Sequence, residues 1–383
     1  MTKRRKMVVG SLVAIVLLGL VSVTSYGKEN KFMLQPSDDI RFDISYDGPP
    51  IKLRLSHHAP ETHPIMANVF IPWTEQVRQV SKGKLIIERF MGATLHGARD
   101  GFKAIANDIT DITAGYTVWQ PQSFDLEHAM MLPFAFNDEF VAVAVGYELY
   151  PKYFKGEYEK MGVVLGSYLT TTANDLISRR PVTKVSDLKG MKVIADGQKA
   201  EMMKLLGAVP INMPTPELYS AFQRGVADAI MQTTADMINW KTYEIGKHHL
   251  EFNLGHVTLP HALNVKTFQS LPPDLRKVLY TMLQLLAWEN AAHYQWSTVE
   301  AFAMLRTSGI ALNAIDDKEK ANWREKLEPM WNDFIQKNVE KGLKAKECIE
   351  AMREANKKYS SWTPAQIRQQ MIKAPFPNII DGM

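Results

Sequence analysis

Short alternating runs of apolar and polar residues, separated by longer helical runs, are the main pattern in the first half of this chain. Ile51–Ser56 alternates, which predicts a first strand, and Pro64 in a first turn predicts a helix to about Ser81, kinked at Pro72. Further strands are predicted at 84–90, 111–115 and 163–169, and helices at 98–107 and 139–150. The order strand, helix, strand predicts parallel pairing in a doubly wound α/β sheet.

The alternation of strands and helices continues in the second half. Arg180-Pro181 predicts a break, because proline removes a backbone donor and fixes φ. Met191–Ile194 then predicts a short buried strand, and the carboxyl end of such a strand is where an open α/β sheet presents a ligand site. Thr215 is expected to cap a helix that ends at Gly225. Helices are also predicted at 199–206 and 235–245, and strands at 227–231 and 263–267.

One long segment, from Asp274 to Ser308, contains neither proline nor glycine. An unbroken helix of this length would extend roughly 50 Å, whereas one lobe of a protein of this size is about 30 Å across. Two interpretations are open at this stage: one helix that lies along both lobes, or two helices joined by a turn that contains no proline or glycine. Charged amphipathic helices are predicted to follow at 317–341 and 344–359.

The N-terminus has the form of a secretory signal peptide. Lys3-Arg4-Arg5-Lys6 precedes an uncharged run from Met7 to Val23, and small residues lie before a cleavage point after Gly27. This predicts a periplasmic protein with no stable membrane insertion after signal cleavage. The alternative is an uncleaved anchor, although the run is shorter than the roughly 20 residues that a spanning helix needs.

Charge and cysteine content limit the classes of function. The four basic residues of the signal account for the formal net charge of +4, so the mature chain is near neutral and a nucleic-acid surface has no support. Cys348 is the only cysteine, which excludes an intrachain disulfide. The sequence has no recognisable hydrolase, zinc-protease or phosphate-loop motif, so no enzyme activity and no cofactor are expected.

Four motifs occur in order between Ile51 and about Val339. They are Met91-Gly92-Ala93-Thr94-Leu95, Leu132-Pro133-Phe134-Ala135-Phe136, the stretch Arg180–Ile194 and the stretch Glu217–Asp228. Together they resemble the DctP-like periplasmic solute receptors of tripartite ATP-independent periplasmic (TRAP) transporters. The resemblance implies a two-lobed α/β periplasmic-binding-protein fold, in which each lobe is a mixed, mostly parallel sheet flanked by helices and a long helix spans both. It also implies closure on a small ligand, which is delivered to TRAP membrane subunits.

These features predict the domain boundaries. Residues 1–27 are the signal peptide, and residues 28–50 are an N-terminal extension. Lobe I comprises residues 51–171 with 260–299, lobe II comprises residues 172–259 with 300–345, and residues 346–383 form a C-terminal helical extension.

The chain departs from the family pattern at the ligand site. Ile194 stands where the resemblance places the arginine that pairs with a ligand carboxylate, and a second family arginine falls at Asn174. Isoleucine cannot replace the two-pronged hydrogen bonding of a guanidinium, and a buried carboxylate without a cation or several donors is costly. We therefore expect a ligand other than a simple dicarboxylate, unless another cation such as His57 or His58, or less favourably Arg99, takes the role.

The candidate ligand contacts follow from these positions. Gln232 keeps an amide at the position where the family contacts its ligand. The hydroxyl and amide groups of Thr170–Thr172 and Asn174 could donate hydrogen bonds to a polar ligand. Trp240 could join other aromatic residues in a more apolar cleft. The ligand is thus expected to be an organic acid or a more apolar, aromatic metabolite. The full set of predicted ligand-binding residues is His57, His58, Tyr116, Trp119, Tyr168, Asn174, Ile194, Thr215, Gln232 and Thr233.

Several of these residues could instead have ordinary structural roles. His57 and His58 could be a solvated or hydrogen-bonded pair, and Tyr116 and Trp119 could belong to a core. With His63 the histidines could suggest a metal, but they lack a carboxylate or fourth ligand at a suitable spacing, so no metal site is expected. Two other functions also stay open: a receptor that reports its ligand to a membrane sensor protein, and, less well supported, a periplasmic hydrolase.

Overall fold

The computed structural model describes residues 39–383. The predicted signal peptide and the first part of the N-terminal extension lie outside the described residues. Within residues 39–383, no helix combines the length and the hydrophobicity that crossing a bilayer requires.

The first sheet has five strands in the order β2-β1-β3-β10-β4. β1 pairs in parallel with β2 and with β3, whereas β10 runs antiparallel to both β3 and β4. The strands are β1 (Ile51–Ser56), β2 (Leu85–Phe90), β3 (Ile112–Ala114), β4 (Val164–Ser167) and β10 (His261–Leu263). The alternation in Ile51–Ser56 therefore predicted the strand correctly, and its buried side chains Leu53 and Leu55 face the core.

The second sheet has six strands in the order β11-β9-β5-β8-β6-β7. β6 pairs in parallel with β7 and β8, and β9 with β11, while β5 runs antiparallel to β8 and β9. The strands are β5 (Asn174–Ser178), β6 (Lys192–Ile194), β7 (Val209–Ile211), β8 (Ala229–Thr233), β9 (His248–Glu251) and β11 (Ala311–Ala314). The mixed α/β class is thereby confirmed, with antiparallel pairs in both sheets.

Helices cover these sheets and connect most of the strands. In the described residues they are α1 (Ile71–Val80), α2 (Gly101–Ala106), α3 (Glu139–Leu149), α4 (Lys155–Lys160), α5 (Gly197–Leu205), α6 (Leu218–Gln223), α7 (Thr234–Asn239), α8 (Val265–Ser270), α9 (Pro273–Thr307), α10 (Asp317–Leu327), α11 (Pro329–Glu340), α12 (Ala345–Tyr359) and α13 (Pro364–Lys373).

The segment without proline or glycine is a single helix, α9, of 35 residues. It packs against α1, α3 and β4 on the side of the first sheet and against α7 and β11 on the side of the second. Residues 278–291 of α9 are buried without interruption, as expected of a helix that other elements surround. Of the two interpretations left open by the sequence, the structure supports one helix along both lobes.

The terminal extensions pack on the side of the first sheet. α12 lies against α3, and α13 lies against α9. Arg368 in α13 forms an ion pair with Asp39, and the backbone amides of Ser45 and Tyr46 donate to Asp274 Oδ2 at 2.7 and 2.8 Å. The N-terminal arm thus joins the C-terminal extension to the start of the long helix.

Three local predictions were wrong. The strand expected at 263–267 ends at Leu263, because the side chain of Asn264 accepts a hydrogen bond from Thr267 N at 3.1 Å and starts α8. Instead of a kink at Pro72, the irregularity is a π-helical turn at Met66–Phe70 that directly precedes α1. Thr215 makes no side-chain cap, because it lies within a 3₁₀ turn, Thr215–Glu217, ahead of α6.

The close contact of α2 with β3 gives a prediction for stability. A Cβ atom added at Gly101 would lie 2.0 Å from the carbonyl oxygen of Ala114, which is backbone and cannot move aside. We expect Gly101→Ala to lower the free energy of unfolding by about 1–3 kcal/mol, the range for overpacked sites. Differential scanning calorimetry measures this as a lower melting temperature.

Gly156 provides the matched control, since it lies in α4 and a Cβ there would meet nothing within 4 Å. Gly156→Ala should leave the melting temperature unchanged or raise it slightly, because alanine is favoured in helices by about 0.5–1 kcal/mol. Equal melting temperatures for the two variants would contradict the close approach of α2 to β3.

Candidate ligand-binding site

A cavity of about 130 Å³ lies where the two sheets face each other. Its walls come from the carboxyl ends of four strands: His57 and His58 follow β1, Tyr116 and Trp119 follow β3, Ile194 and Asp196 come at the end of β6, and Gln232 and Thr233 end β8. The carboxyl ends of parallel strands are the usual location of ligands in open α/β sheets, and here both sheets contribute.

Hydrogen bonds define the tautomer of His57 at the base of this cavity. Its Nδ1 accepts from the backbone amide of Ala59 at 2.9 Å, so Nε2 carries the proton and donates to Tyr116 Oη at 2.9 Å. The hydroxyl proton of Tyr116 is therefore directed elsewhere than to His57. Tyr116 lines the cavity and can donate this proton to a ligand.

A cluster of histidines surrounds the first-sheet side of the cavity. The ring of His57 stacks on that of His58 at 4.4 Å and on that of His261 at 5.5 Å. Burial lowers the pKa of His57 well below its usual value, that of His58 and His63 to about 4, and that of His261 to about 3. These rings are neutral at neutral pH, so His57 and His58 do not supply the cation that position 194 lacks.

The charged groups of the cavity lie on the second-sheet side. Lys199 Nζ is 2.9 Å from Asp196 Oδ1, and Trp119 Nε1 donates to Asp196 Oδ2 at 3.2 Å. Burial raises the pKa of Asp196, but its contacts with Lys199 and Trp119 outweigh this, and the net pKa is lowered. Asp196 is therefore ionised and paired.

Asp236 is a second carboxylate in the cavity wall. Thr233 Oγ1 donates to Asp236 Oδ2 at 2.8 Å, and Asn239 Nδ2 lies 3.4 Å from Oδ1. The same Thr233 oxygen accepts from Asp236 N at 3.1 Å and so caps α7. Burial raises the pKa of Asp236.

Aromatic rings form much of the remaining wall. The centroid of Trp119 lies 4.9 Å from that of Tyr116 and 5.4 Å from that of His58, and His63 lies 5.2 Å from Trp240. Tyr294, from the long helix, also lines the cavity. Such faces suit a flat apolar ligand.

Ile194 lines the cavity and is 3% exposed. It packs in an apolar cluster of the second lobe with Leu218 and Ile230. Its side chain offers no hydrogen-bond donor, so the cavity has no guanidinium at the position where the family resemblance implies one.

The structure brings together nine of the ten predicted site residues, while their roles in binding stay a prediction. The residues that line the cavity are His57, His58, Tyr116, Trp119, Asn174, Ile194, Thr215, Gln232 and Thr233. The histidine pair is buried or nearly so rather than solvated. Trp240 and Thr171 also line the cavity, whereas Arg99 lies outside it and donates to Asn212 Oδ1 at 3.1 Å.

Tyr168 is the predicted site residue that the structure places elsewhere. It is fully buried, and its hydroxyl donates to Glu127 Oε1 at 2.8 Å. Its ring packs so closely on Gly146 in α3 that a Cβ there would lie 2.2 Å from Tyr168 Cε1. The residue follows β4, an edge strand that β10 separates from β3, so its side chain joins the core beneath α3.

Several residues that line the cavity were not predicted from the sequence. Asp196 could have been found, because it follows the strand whose carboxyl end was expected to present a ligand, and Lys199 lies one helical turn later. Asp236 likewise lies shortly after the end of β8, whose Gln232 and Thr233 were predicted, whereas Tyr294 had no such indication. Within residues 39–383, no group of three or more histidine, cysteine or carboxylate side chains is placed to hold a metal ion.

Comparisons with known proteins agree with this geometry. A family model described as bacterial extracellular solute-binding protein, family 7, matches residues 55–338. The C4-dicarboxylate-binding protein DctB of Bacillus subtilis (strain 168) is 22% identical over 295 residues, which is 74% of this chain and 82% of that protein.

Two solved structures share the fold at low sequence identity. A TRAP solute-binding protein from Rhodoferax ferrireducens T118, in complex with copurified benzoate, aligns with a TM-score of 0.77 and 19% identity over 81% of this chain and 98% of that chain. A TRAP periplasmic solute-binding protein from Bordetella bronchiseptica, with bound (R)- and (S)-mandelate, aligns with a TM-score of 0.74 and 24% identity over 81% of this chain and 99% of that chain.

The buried histidines predict a loss of stability in acid. The pKa values of these histidines in the folded chain lie below the usual value of about 6.5, so the unfolded chain binds more protons. For each such histidine, the free energy of unfolding falls by up to about 1.4 kcal/mol per pH unit as the pH falls from about 6.5 towards 4. Replacing His58 or His63 by Asn should therefore reduce the difference in unfolding free energy between pH 7 and pH 5. Urea denaturation at the two pH values measures this difference.

Ile65→Ala is the control, since Ile65 lines the same cavity but does not titrate. It should lower the free energy of unfolding by the same amount at both pH values. If both histidine variants lost as much stability in acid as the unmodified chain, the neutral buried cluster would be refuted.

Proposed function

The chain belongs to the bacterial extracellular solute-binding proteins of family 7, and on that premise we propose that it captures a small aromatic or otherwise flat apolar solute between its lobes and delivers it to TRAP membrane subunits. Family membership makes it a two-lobed solute-binding protein rather than an enzyme. The predicted DctP-like family is confirmed, and the periplasmic hydrolase is set aside.

The observation that carries the proposed ligand class is the ring-lined cavity with isoleucine at position 194. Its volume of about 130 Å³ is near that of the engineered ~150 Å³ protein cavity that binds benzene. Trp119 and Trp240 supply apolar faces, and Ile194 replaces the group that would pair with a carboxylate. The benzoate and mandelate complexes are of relatives with the same fold, which is consistent with room for a ring. A dicarboxylate would require two anion-binding points, for which this wall is poorly equipped.

Contacts across the cleft support a working cycle of opening and closure. Trp119 comes after β3 of the first lobe and donates to Asp196 of the second lobe at 3.2 Å. Arg99 comes after β2 of the first lobe and donates to Asn212 of the second lobe at 3.1 Å. Gly197 lies so near the first lobe that a Cβ there would be 2.6 Å from Val118 Cγ2. These contacts belong to a closed form, which a ligand stabilises if it binds that form better than the open one.

The proposed lobes follow the two sheets. Residues 51–171 with 260–299 carry the first sheet, and residues 172–259 with 300–345 carry the second. We place the mature chain in the periplasm, after removal of residues 1–27, where its proposed partners are the TRAP membrane subunits. The form of the N-terminal sequence and the family assignment support this location.

A thermal-shift screen tests the ligand class, because a solute that binds only the folded chain raises its melting temperature. We expect ring-bearing metabolites to raise it and succinate or malate to leave it unchanged. Trp119→Ala should abolish the shift, since it removes a wall of the cavity and the hydrogen bond to Asp196. Val209→Ala, at a 50% exposed site on the edge strand β7, should leave the shift intact. Micromolar binding of a simple dicarboxylate would refute the proposed ligand class.

Uptake of the solute found in that screen tests delivery. Cells lacking the gene should lose uptake and regain it with the unmodified chain. Gly197→Ala should restore it only in part, because the added Cβ clashes with Val118 and, at φ +50°, strains the backbone. The double variant with Val118→Ala should recover more, since it removes the clash. Normal uptake without the gene would contradict the proposed role.

A further inference from the structure

We propose that the solute carries a positively charged nitrogen, an ammonium or amidinium group on an aromatic or apolar body, which Asp236 and the amide oxygen of Gln232 hold within the ring-lined cavity. This inference rests on the proposed function, because it specifies the ligand of the same site. It concerns the charge of the ligand, and it departs from the acids bound by the solved relatives, benzoate and mandelate.

The charges of the lining residues give the first argument. Among the described residues around the cavity, two carboxylates, Asp196 and Asp236, face one cation, Lys199. The Lys199 ammonium already lies 2.9 Å from Asp196. The neighbouring histidines are neutral because burial lowers their pKa. An anionic solute would therefore enter a wall with an excess of negative charge, whereas a cation would neutralise it.

Asp236 gives the second argument. Its hydrogen-bond partners are neutral, the hydroxyl of Thr233 and the amide of Asn239, and Lys199, whose charge also acts on it, forms its ion pair with Asp196 instead. A carboxylate withdrawn from water without a paired cation carries a desolvation penalty. Asp236 is partly buried in the cavity wall, and desolvation outweighs its favourable contacts, so its pKa is raised. A cationic group of the solute at this position would offset that penalty.

Gln232 provides independent evidence that the solute donates hydrogen bonds. The side chain is 5% exposed, and its Nε2 donates to Thr242 Oγ1. The Thr242 hydroxyl in turn donates to the carbonyl oxygen of Met237 at 3.4 Å. Gln232 Oε1 is thus an acceptor, and among the described residues it has no hydrogen-bond partner. Gln232 lines the cavity, so a donor of the solute that reached this buried oxygen on binding would satisfy it.

The aromatic wall favours the same charge. The ring centroid of Trp119 lies 4.9 Å from that of Tyr116, and the ring centroid of Trp240 lies 5.2 Å from that of His63. Indole and phenol faces attract cations through the ring quadrupole, most strongly where water is excluded. Carboxylates combined with aromatic faces are the combination by which proteins recognise organic cations.

Two neutral donors define the other end of the solute. Tyr116 retains a hydroxyl proton, and His63 Nδ1 accepts from Ile65 N at 3.3 Å, which leaves a buried Nε2–H without a partner among residues 39–383. Both residues line the cavity, and the Tyr116 hydroxyl can donate to a hydroxyl or carbonyl oxygen of the solute.

Three probes of similar size and different charge test the inference: 2-phenylethylamine, 2-phenylethanol and phenylacetate. Isothermal titration calorimetry at pH 7 should give the amine at least 10-fold higher affinity than phenylacetate. Asp236→Asn should weaken amine binding at least 10-fold and leave 2-phenylethanol nearly unchanged. Asp316→Asn is the matched control, because Asp316 caps α10 away from the cavity, and asparagine caps helices as well as aspartate does.

A second variant has the opposite expected sign and does not depend on the folding of Asp236→Asn. Lys199→Met removes the cation of the cavity, so the amine should bind more tightly. If the solute were an acid that Lys199 pairs with, the same variant would weaken phenylacetate and fail to improve the amine.

The outcomes distinguish a wrong inferred charge of the solute from a wrong receptor function. Phenylacetate binding as tightly as the amine, or an unchanged affinity for the amine in Asp236→Asn, would overturn the inferred charge and leave the receptor function standing. Absence of binding by all three probes at about 1 mM, a concentration that detects even weak complexes, would also overturn the inferred charge. The receptor function would then be decided by the metabolite screen and the uptake experiment alone.

Discussion

The unbroken helix α9 is the constraint on which the relation between the two sheets depends. It packs on α1, α3 and β4 of one lobe and on α7 and β11 of the other, so both lobes share one rigid element. Two other connections run between the sheets, the segments after β4 and before β10, and they are joined by a bridge between Thr170 and Thr258. Asn290 of α9 donates to Thr170 O at 2.7 Å, which ties these connections to the helix as well. Motion of one lobe against the other is therefore confined to a narrow set of backbone segments beside α9.

Most of the fold followed from local pattern, and the exceptions have physical reasons. β1 was predicted to the residue because apolar and polar side chains alternate along it: Leu53 and Leu55 are buried, whereas Lys52 is exposed and Arg54 is partly exposed. β5, Asn174–Ser178, was missed because all five of its residues are buried, so no alternation marks it. Its polar Asp175 accepts from Phe252 N and Thr234 Oγ1, partners far away in sequence. Burial of such polar residues depends on tertiary contacts that no local pattern contains.

Site residues at the ends of strands could be predicted from the sequence. Residues whose positions depend on tertiary packing could not. His57, Tyr116 and Ile194 lie where they do because parallel strands bring their carboxyl ends together. Tyr168 also follows a strand, yet β4 lies at the edge of its sheet and the side chain joins the core. Tyr294 reaches the cavity only because the long helix passes it. Family resemblance located the position of residue 194 but could not indicate the charges that surround it.

The C-terminal extension gives the molecule a natural reporter that is separate from the cleft. Cys348, the single thiol of the chain, is buried in α12, and burial raises its pKa to about 12. A thiol in this state reacts with alkylating or disulfide reagents only when its helix detaches, because the thiolate is the reactive form. The rate of labelling under native conditions would therefore measure the local opening of the extension on its own. Solute-dependent changes in that rate would reveal whether events in the cleft reach the far side of the first lobe.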